Sequence, residues 1–175
     1  MQHLTRDEFK ALVGAIRDPK HRLMLKVGFN HGLRVSELTG LTGASIRDGY
    51  VTVQRLKGSM KTIQPYQSHE DPLLDEAREL ADLAAKLKPS ERLFNITRSG
   101  VLKLIKRAGK RAGIPEHKLF AHVLKHSIAM QTIHTAGIEN VRQWLGHKNI
   151  SSTGAYLRVS DEAAALAIGR AMTIE

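Results

Sequence analysis

The sequence predicts one α+β domain, mostly α-helical, with a single small antiparallel β-sheet. Three observations carry this. Apolar residues recur at helical spacing through most of the chain, one stretch alternates as a strand does, and no Pro/Gly/Ser linker, low-complexity tract or internal repeat divides it. The chain has 175 residues, 42% of them hydrophobic and 25% charged, so it can bury one core and is not wholesale disordered. Cysteine is absent, which excludes a disulfide scaffold, a thiolate nucleophile and any cysteine-based metal site. No apolar run approaches the ~18 residues that a bilayer crossing needs, and Met1-Gln2-His3-Leu4-Thr5 does not read as a signal peptide. The expected location is the cytoplasm.

Taken in order, Thr5 and Glu8 have capping-box spacing, with Leu4 and Phe9 set for a hydrophobic staple, so a first helix should cover 6–17 and stop before Asp18-Pro19. A second should run to about His31, with Gly32 at its C-cap, and 34–39 reads as a further short turn of helix. Asp48-Gly49 precedes the alternating Tyr50-Val51-Thr52-Val53, a strand. Lys57-Gly58-Ser59 is a turn and 61–65 a second strand, which completes a hairpin. Helical patterns follow over 72–87, 99–112, 120–136 and 138–145, punctuated by Lys88-Pro89-Ser90 and Gly137. Ser160 is placed to cap a last helix that ends near Met172.

Charge supplies the first functional clue. Lys and Arg number 27 against 17 Asp and Glu, a net charge of +10 that suits a polyanionic partner. The excess is uneven: from Arg98 to Lys125 there are eight basic residues and one acid, Glu116. Within that segment Val101, Leu104, Ile105, Ala108 and Ala112 share one helical face, while Lys103, Lys106, Arg107 and Lys110 share the other. Those four cations are candidates for phosphate contact, with a solvated basic face as the plain alternative. No aromatic residue lies on the apolar face to anchor it at a lipid surface, so double-stranded DNA is expected and a membrane is not.

Several familiar sites are missing. There is no Walker loop and no Gly-x-Gly-x-x-Gly fingerprint. His122 and His126 stand one helical turn apart, but the Glu of a His-Glu-x-x-His hydrolase is absent, so no metal is expected. The acids Asp71, Asp75, Glu79 and Asp82 read as an exposed helix face rather than a two-metal centre. The C-terminal third offers Trp144-Leu145-Gly146-His147 and, nine residues after His147, Tyr156. A phenol attacks phosphorus only when its proton is removed and fixed cations meet the developing charge. Arg34, Lys57, His122, Lys125 and His147 are residues of the right kind, but composition does not show that they converge, and Tyr156 taken alone reads as readily as a packing residue.

At these residues the chain resembles the catalytic domain of tyrosine recombinases, the phage-integrase family. Four ordered blocks between about Leu4 and Tyr156 carry the resemblance: Gly32-Leu33-Arg34-Val35-Ser36-Glu37-Leu38, the hairpin lysine in Arg55-Leu56-Lys57-Gly58, His122-Val123-Leu124-Lys125-His126-Ser127, and Leu145-Gly146-His147-Lys148 followed by Tyr156. The hairpin phrase and short N-terminus look especially like the small recombinases that invert fimbrial promoter switches, with phage integrases equally close. The resemblance implies a catalytic domain over 1–175 that lacks the separate N-terminal DNA-binding domain of larger members. It further implies strand cleavage by Tyr156 through a 3′-phosphotyrosyl bond, with no cofactor or metal. Arg34, Lys125 and His147 would meet the phosphate, His122 would move the tyrosine's proton, Lys57 would protonate the leaving 5′-oxygen, and Glu37 would orient Arg34 or His122. It also implies a homo-tetramer on DNA, assembled through a C-terminal helix. One position departs from the pattern. The family's second arginine is Lys125 here, which keeps charge but loses a bidentate fork. The alternative expectation is therefore a DNA-binding relative with little or no cleavage, acting as a regulator or accessory factor, in which Lys125 sits on a surface that merely holds DNA.

Overall fold

The computed structural model describes residues 2–56, 58–157 and 161–173. Helix α1 (Arg6–Gly14) opens with the expected capping box: the Glu8 N–H donates to Thr5 Oγ1 at 3.2 Å and the Thr5 N–H to Glu8 Oε2 at 2.8 Å. Leu4 and Phe9 are fully buried, and Phe9 stacks on Phe29 of α2 (Pro19–Asn30) with centroids 4.0 Å apart. Asp18 caps α2 by accepting from the N–H groups of Lys20 and His21. The chain then reverses at Gly32, whose φ of +59° is a left-handed value that glycine adopts without strain. A Cβ there would lie 2.5 Å from Leu145, so this turn is also a point of close approach.

Helix α3 (Val35–Thr39) follows, and then a three-stranded antiparallel sheet in the order β1 (Ile46–Arg47), β2 (Tyr50–Val53), β3 (Thr62–Pro65). Strand β1 was not legible in the sequence, because two residues are too short to alternate. Asp48 and Gly49 join β1 to β2 with φ of 55° and 80°, the paired positive values that suit a tight hairpin. Val51 pairs with Gln64 and Val53 with Thr62, which turns Val51, Val53, Thr62 and Gln64 inward.

Helix α4 (Ala77–Lys86) begins five residues later than its periodicity predicts. Asp71 accepts from the Leu73 N–H and shapes a turn, and Glu76 is drawn into the interior rather than onto a helix face. The acids are correspondingly not one exposed stripe: Asp71 pairs with Lys10, Asp75 accepts from the His69 N–H, and Glu79 pairs with the buried Lys26. Helix α5 (Arg98–Arg111), α6 (Val123–Ala136) and α7 (Ile138–Leu145) lie close to their predicted spans. Helix α1 stops three residues early and α6 starts three late. Short helix α8 (Ser151–Gly154) and α9 (Asp161–Met172) complete the described chain; Ser160, the expected cap of α9, lies outside the described residues.

One large core spans α1 to α5 and the sheet and reaches the start of α6. A smaller one, of Ala129, Ile133, Val141, Leu145 and Tyr156, joins α6, α7 and the segment after α8. The N-terminal strap is tied to α6, since the Leu4 N–H donates to Ser127 Oγ and Gln131 Nε2 donates to the Leu4 carbonyl. The fold thus brings the ends of α2 and α7, the root of the β2–β3 hairpin and one side of α6 to a single place. Among the described residues no helix is long and apolar enough to cross a membrane.

Candidate active site

Arg34 is the N-cap residue of α3, set directly after the Gly32 turn. Its backbone N–H donates to Glu37 Oε2 at 2.8 Å and its Nη1 to Glu37 Oε1 at 2.9 Å. Glu37 has no exposed side-chain surface, so this is not an ion pair on a helix surface, and Arg34 retains 27% exposure on its outer side. The same carboxylate accepts from Arg55 Nη1 at 3.1 Å and from the Leu56 N–H at 3.4 Å. Burial pushes the Glu37 carboxyl up, but the Arg34 N–H and the charges of Arg55, Lys125 and Arg34 outweigh it and hold the group below the ordinary carboxylate value.

Arg55 was quoted within a motif but not expected in the site. Its side chain is fully buried beneath the hairpin. The hairpin is latched beside it: the Met60 N–H donates to the Gly146 carbonyl at 2.8 Å, and Ser59 forms a bridge with His147. Gly146, at φ +69°, has its missing Cβ directed 2.7 Å from the Met60 carbonyl, so no larger residue fits the latch. Lys57, three residues before Met60, lies outside the described residues.

Lys125 does not sit on a DNA-holding surface. It is 4% exposed, and its Nζ donates to the Leu145 carbonyl at 3.2 Å. Burial and the charges of Arg34 and Arg55, against the opposing pull of Glu37, bring its ammonium from 10.5 down to about 7. His147 is buried, with Nδ1 2.9 Å from Thr153 Oγ1. Burial, with Lys125, Arg34 and Arg55 around it, takes its imidazole down to about 4, so it is neutral at physiological pH.

Tyr156 is 6% exposed and packs in the smaller core. Burial raises its phenol above the ordinary value and the charge of Arg34 lowers it, which puts the phenol within electrostatic reach of the cationic cluster. The ring against it is His126, centroids 5.6 Å apart and edge to face, while the exposed His122, at the N-cap of α6, stacks on His126 at 6.2 Å. His126 is kept below its ordinary value by burial, His122 and Lys125, and its buried Nδ1 has no hydrogen-bond partner among the described residues. His126 packs against the phenol and Lys148 is exposed. Arg34, Glu37, Lys125, His147 and Tyr156 therefore converge, with His122 one ring removed. Lys103, Lys106, Arg107 and Lys110 are all exposed and line a separate groove of about 630 Å³ on α5. Among the described residues no group of three or more His, Cys, Asp or Glu side chains could hold a metal ion.

The arrangement presents three basic side chains around one carboxylate, beside a neutral imidazole and a phenol, a set of groups that can receive an anion next to a hydroxyl able to act as a nucleophile. It also carries a stability cost. Lys125 titrates near 7 in the folded protein and at 10.5 when free, so between those values the unfolded chain holds the extra proton and stability rises with pH. The cost is at full size below about pH 7 and fades toward 10.5. Lys125→Met should raise Tm at pH 6.5 by about 2–6 °C, equivalent to ~1–2 kcal/mol in a domain of this size, and flatten stability over that window. Calorimetric scans of both proteins from pH 6 to 10 check this; an unchanged slope contradicts it.

Residues 2–163 match the phage integrase family. The chain is 35% identical over 156 residues to tyrosine recombinase XerD of Yersinia pestis, covering 82% of this chain and 51% of that protein. It is 31% identical over 186 aligned positions to tyrosine recombinase XerA of Thermococcus kodakarensis, covering 98% and 63%. The chain thus spans between half and two thirds of the length of these relatives. Among solved structures it shares its fold with the XerH site-specific recombinase bound to its difH substrate (TM-score 0.73, 18% identity, 96% of this chain and 54% of that one). It shares it also with a lambda integrase tetramer bound to a Holliday junction (0.69, 24%, 91% and 50%) and with the catalytic domain of bacteriophage HP1 integrase (0.68, 23%, 97% and 94%). With Arg34, Glu37, Arg55, Lys125, His147 and Tyr156 brought to one cluster and the family match running from residue 2 to residue 163, the chain belongs to the phage integrase family of tyrosine recombinases.

Proposed function

We propose that this chain is the catalytic domain of a site-specific DNA recombinase that breaks and rejoins strands through Tyr156. The observation that carries the reading is a cluster of Arg34 and Lys125 around the buried Glu37, with neutral His147 beside them and the Tyr156 phenol in reach of Arg34. The Tyr156 oxygen attacks the phosphorus, and the bond to the 5′-oxygen breaks. A 3′-phosphotyrosine and a free 5′-hydroxyl result, and attack by a partner strand's 5′-hydroxyl reverses the step without ATP or metal. Arg34 and Lys125 neutralise the non-bridging oxygens. His147 meets Thr153 Oγ1 through Nδ1, and in the tautomer that carries the proton on Nε2 it donates to the same oxygens. The raised phenol needs a base, and we assign that role to His122, which stacks on the His126 ring packed against Tyr156. Lys57 protonates the departing 5′-oxygen. Wild type and Lys125→Arg, incubated in EDTA with a nicked suicide duplex selected from a randomised pool, should form a covalent adduct, and Tyr156→Phe should not. An adduct that persists in Tyr156→Phe, or none from wild type, contradicts the reading.

DNA is the partner we propose for the basic α5 face. Lys103, Lys106, Arg107 and Lys110 would contact phosphates and position the duplex without reading its sequence. Changing two of them to Ala should weaken binding to every duplex and lower the salt dependence by up to about two units of log–log slope. Binding titrations across salt concentrations measure this; an unchanged slope returns the face to bulk solvent.

Strand exchange needs one such site per strand, which we take as four copies on two duplexes in the cytoplasm. Helix α9 supports assembly, since Leu166, Ile168 and Met172 are 59%, 62% and 81% exposed. An apolar groove of about 390 Å³ lined by Phe29, Ile128, Val141 and Leu145 stands open on the same domain. Light scattering should find a monomer in free solution and a higher oligomer on the selected duplex, and one copy per duplex contradicts it.

A further inference from the structure

Arginine carries five N–H donors, and Arg55 has a partner for every one. Nε donates to Thr62 Oγ1 at 3.2 Å, Nη1 to the Gly32 carbonyl at 3.0 Å and to Glu37 Oε2 at 3.1 Å, and Nη2 to the His31 carbonyl at 3.0 Å and the Trp144 carbonyl at 2.9 Å. These acceptors come from four places: the end of α2, helix α3, strand β3 and the end of α7. Carbonyls at helix C-termini lack intrahelical donors, and a guanidinium is well placed to satisfy them. With no donor left, Arg55 cannot grip a phosphate. It occupies the junction from which Arg34, His147 and the hairpin radiate.

A second layer fixes the acceptors themselves. Gln64 Nε2 donates to the same Trp144 carbonyl at 2.6 Å, which turns Gln64 Oε1 toward His31 Nδ1, 2.6 Å away. His31 Nε2 meets Glu76 Oε1 at 2.5 Å, and the Trp144 indole donates to the Asn30 carbonyl at 2.8 Å. His31 is thus held at both ring nitrogens, by Gln64 Oε1 and Glu76 Oε1. The Arg55 sockets are therefore rigid, and a charge in a rigid socket has little freedom to relax.

We propose that Arg55 is a positioning residue for strand cleavage: it fixes Arg34 through their shared Glu37 carboxylate and locks the root of the hairpin that carries Lys57 to the α2 and α7 ends flanking the site. The proposal rests on the recombinase reading and extends it from the groups that meet phosphate to the group that sets their geometry. Leu56 and Met60 extend the connection. Their N–H groups donate to Glu37 and to the Gly146 carbonyl, so the hairpin binds the Arg34 side and the His147 side of the site together. The fixed charge of Arg55 acts on the cluster as well. The groups facing Lys125 are Arg34 and Glu37 from α3, Arg55 from the hairpin root, His147 after α7 and His126 on its own helix, and Arg55 is among those that hold its ammonium down.

The test compares wild type, Arg55→Gln, Glu37→Gln, the double variant and Thr62→Val in single-turnover adduct formation on the selected nicked duplex, with duplex affinity measured alongside. Each of the two Gln variants should cleave about ten- to a hundredfold more slowly with affinity little changed, the loss expected of a mispositioned catalytic group. The double variant should be no slower than the slower single variant, because both changes cut the same link. Thr62→Val keeps the charge, removes one acceptor at constant volume, and should slow cleavage a few-fold in a fully folded protein. Nitrogen NMR of the Lys125 ammonium reports independently of cleavage: its titration near pH 7 should move upward in Arg55→Gln and stay in place in Thr62→Val. A double variant whose defect is the product of the two single defects, an unmoved Lys125 titration in Arg55→Gln, or full-rate cleavage by Thr62→Val would overturn the proposal. If Arg55→Gln does not fold, Thr62→Val decides alone. If wild type forms no adduct, the recombinase reading fails, while the Lys125 titration still judges the effect of Arg55.

Discussion

Everything in the candidate site depends on one buried carboxylate. Glu37 accepts from the Arg34 backbone and side chain, from Arg55 and from the Leu56 N–H, so a single side chain joins the turn after α2 to the hairpin. An isolated carboxylate would not stay ionised without exposed surface; four donors and three nearby cations make it the stable form. Removing it would leave Arg34 without an orienting partner and Arg55 with an unpaired buried charge, a costlier change than breaking a surface pair.

The arrangement leaves a deliberate imbalance. Arg34, Arg55 and Lys125 face one carboxylate, and His147 and Tyr156 remain neutral beside them. Such a cluster is costly in the free protein, as the depressed Lys125 ammonium shows, and is relieved by one anionic group entering at the exposed side of Arg34. Preorganised charge of this kind acts most strongly where charge develops during reaction, because little reorganisation is needed at that moment. Lysine in place of the family's second arginine fits the same account: it is buried within the cluster beside Arg34 and Glu37, but its protonation is conditional where a guanidinium's would not be.

Much of this was legible in the sequence, for identifiable reasons. The capping box of Thr5 and Glu8, the Gly32 and Gly137 stops and the two-faced α5 are local patterns, and local chemistry decided them. Arg34, Glu37, Lys125, His147 and Tyr156 were found because they stand in short ordered motifs, although spacing alone did not bring them together. Arg55 was overlooked because three of its five acceptors are backbone carbonyls, which leave no mark on a sequence, and one of these lies 89 residues away. The same holds for α4, which starts later than its periodicity predicts because Glu76 is drawn inward by His31, Asn30 and the Gln67 N–H. His122 was expected at the tyrosine; the ring in contact is His126, since α6 starts at Val123 and leaves His122 on its exposed cap.

The central claim is that the cluster exists to hold a DNA phosphate against the Tyr156 oxygen. Mass spectrometry of a nuclease-trimmed, protease-digested covalent complex tests it most directly. The account predicts a nucleotide joined through its 3′-phosphate to the peptide containing Tyr156, at that side chain alone. A nucleotide on any other residue, or one attached through its 5′-phosphate, would contradict it.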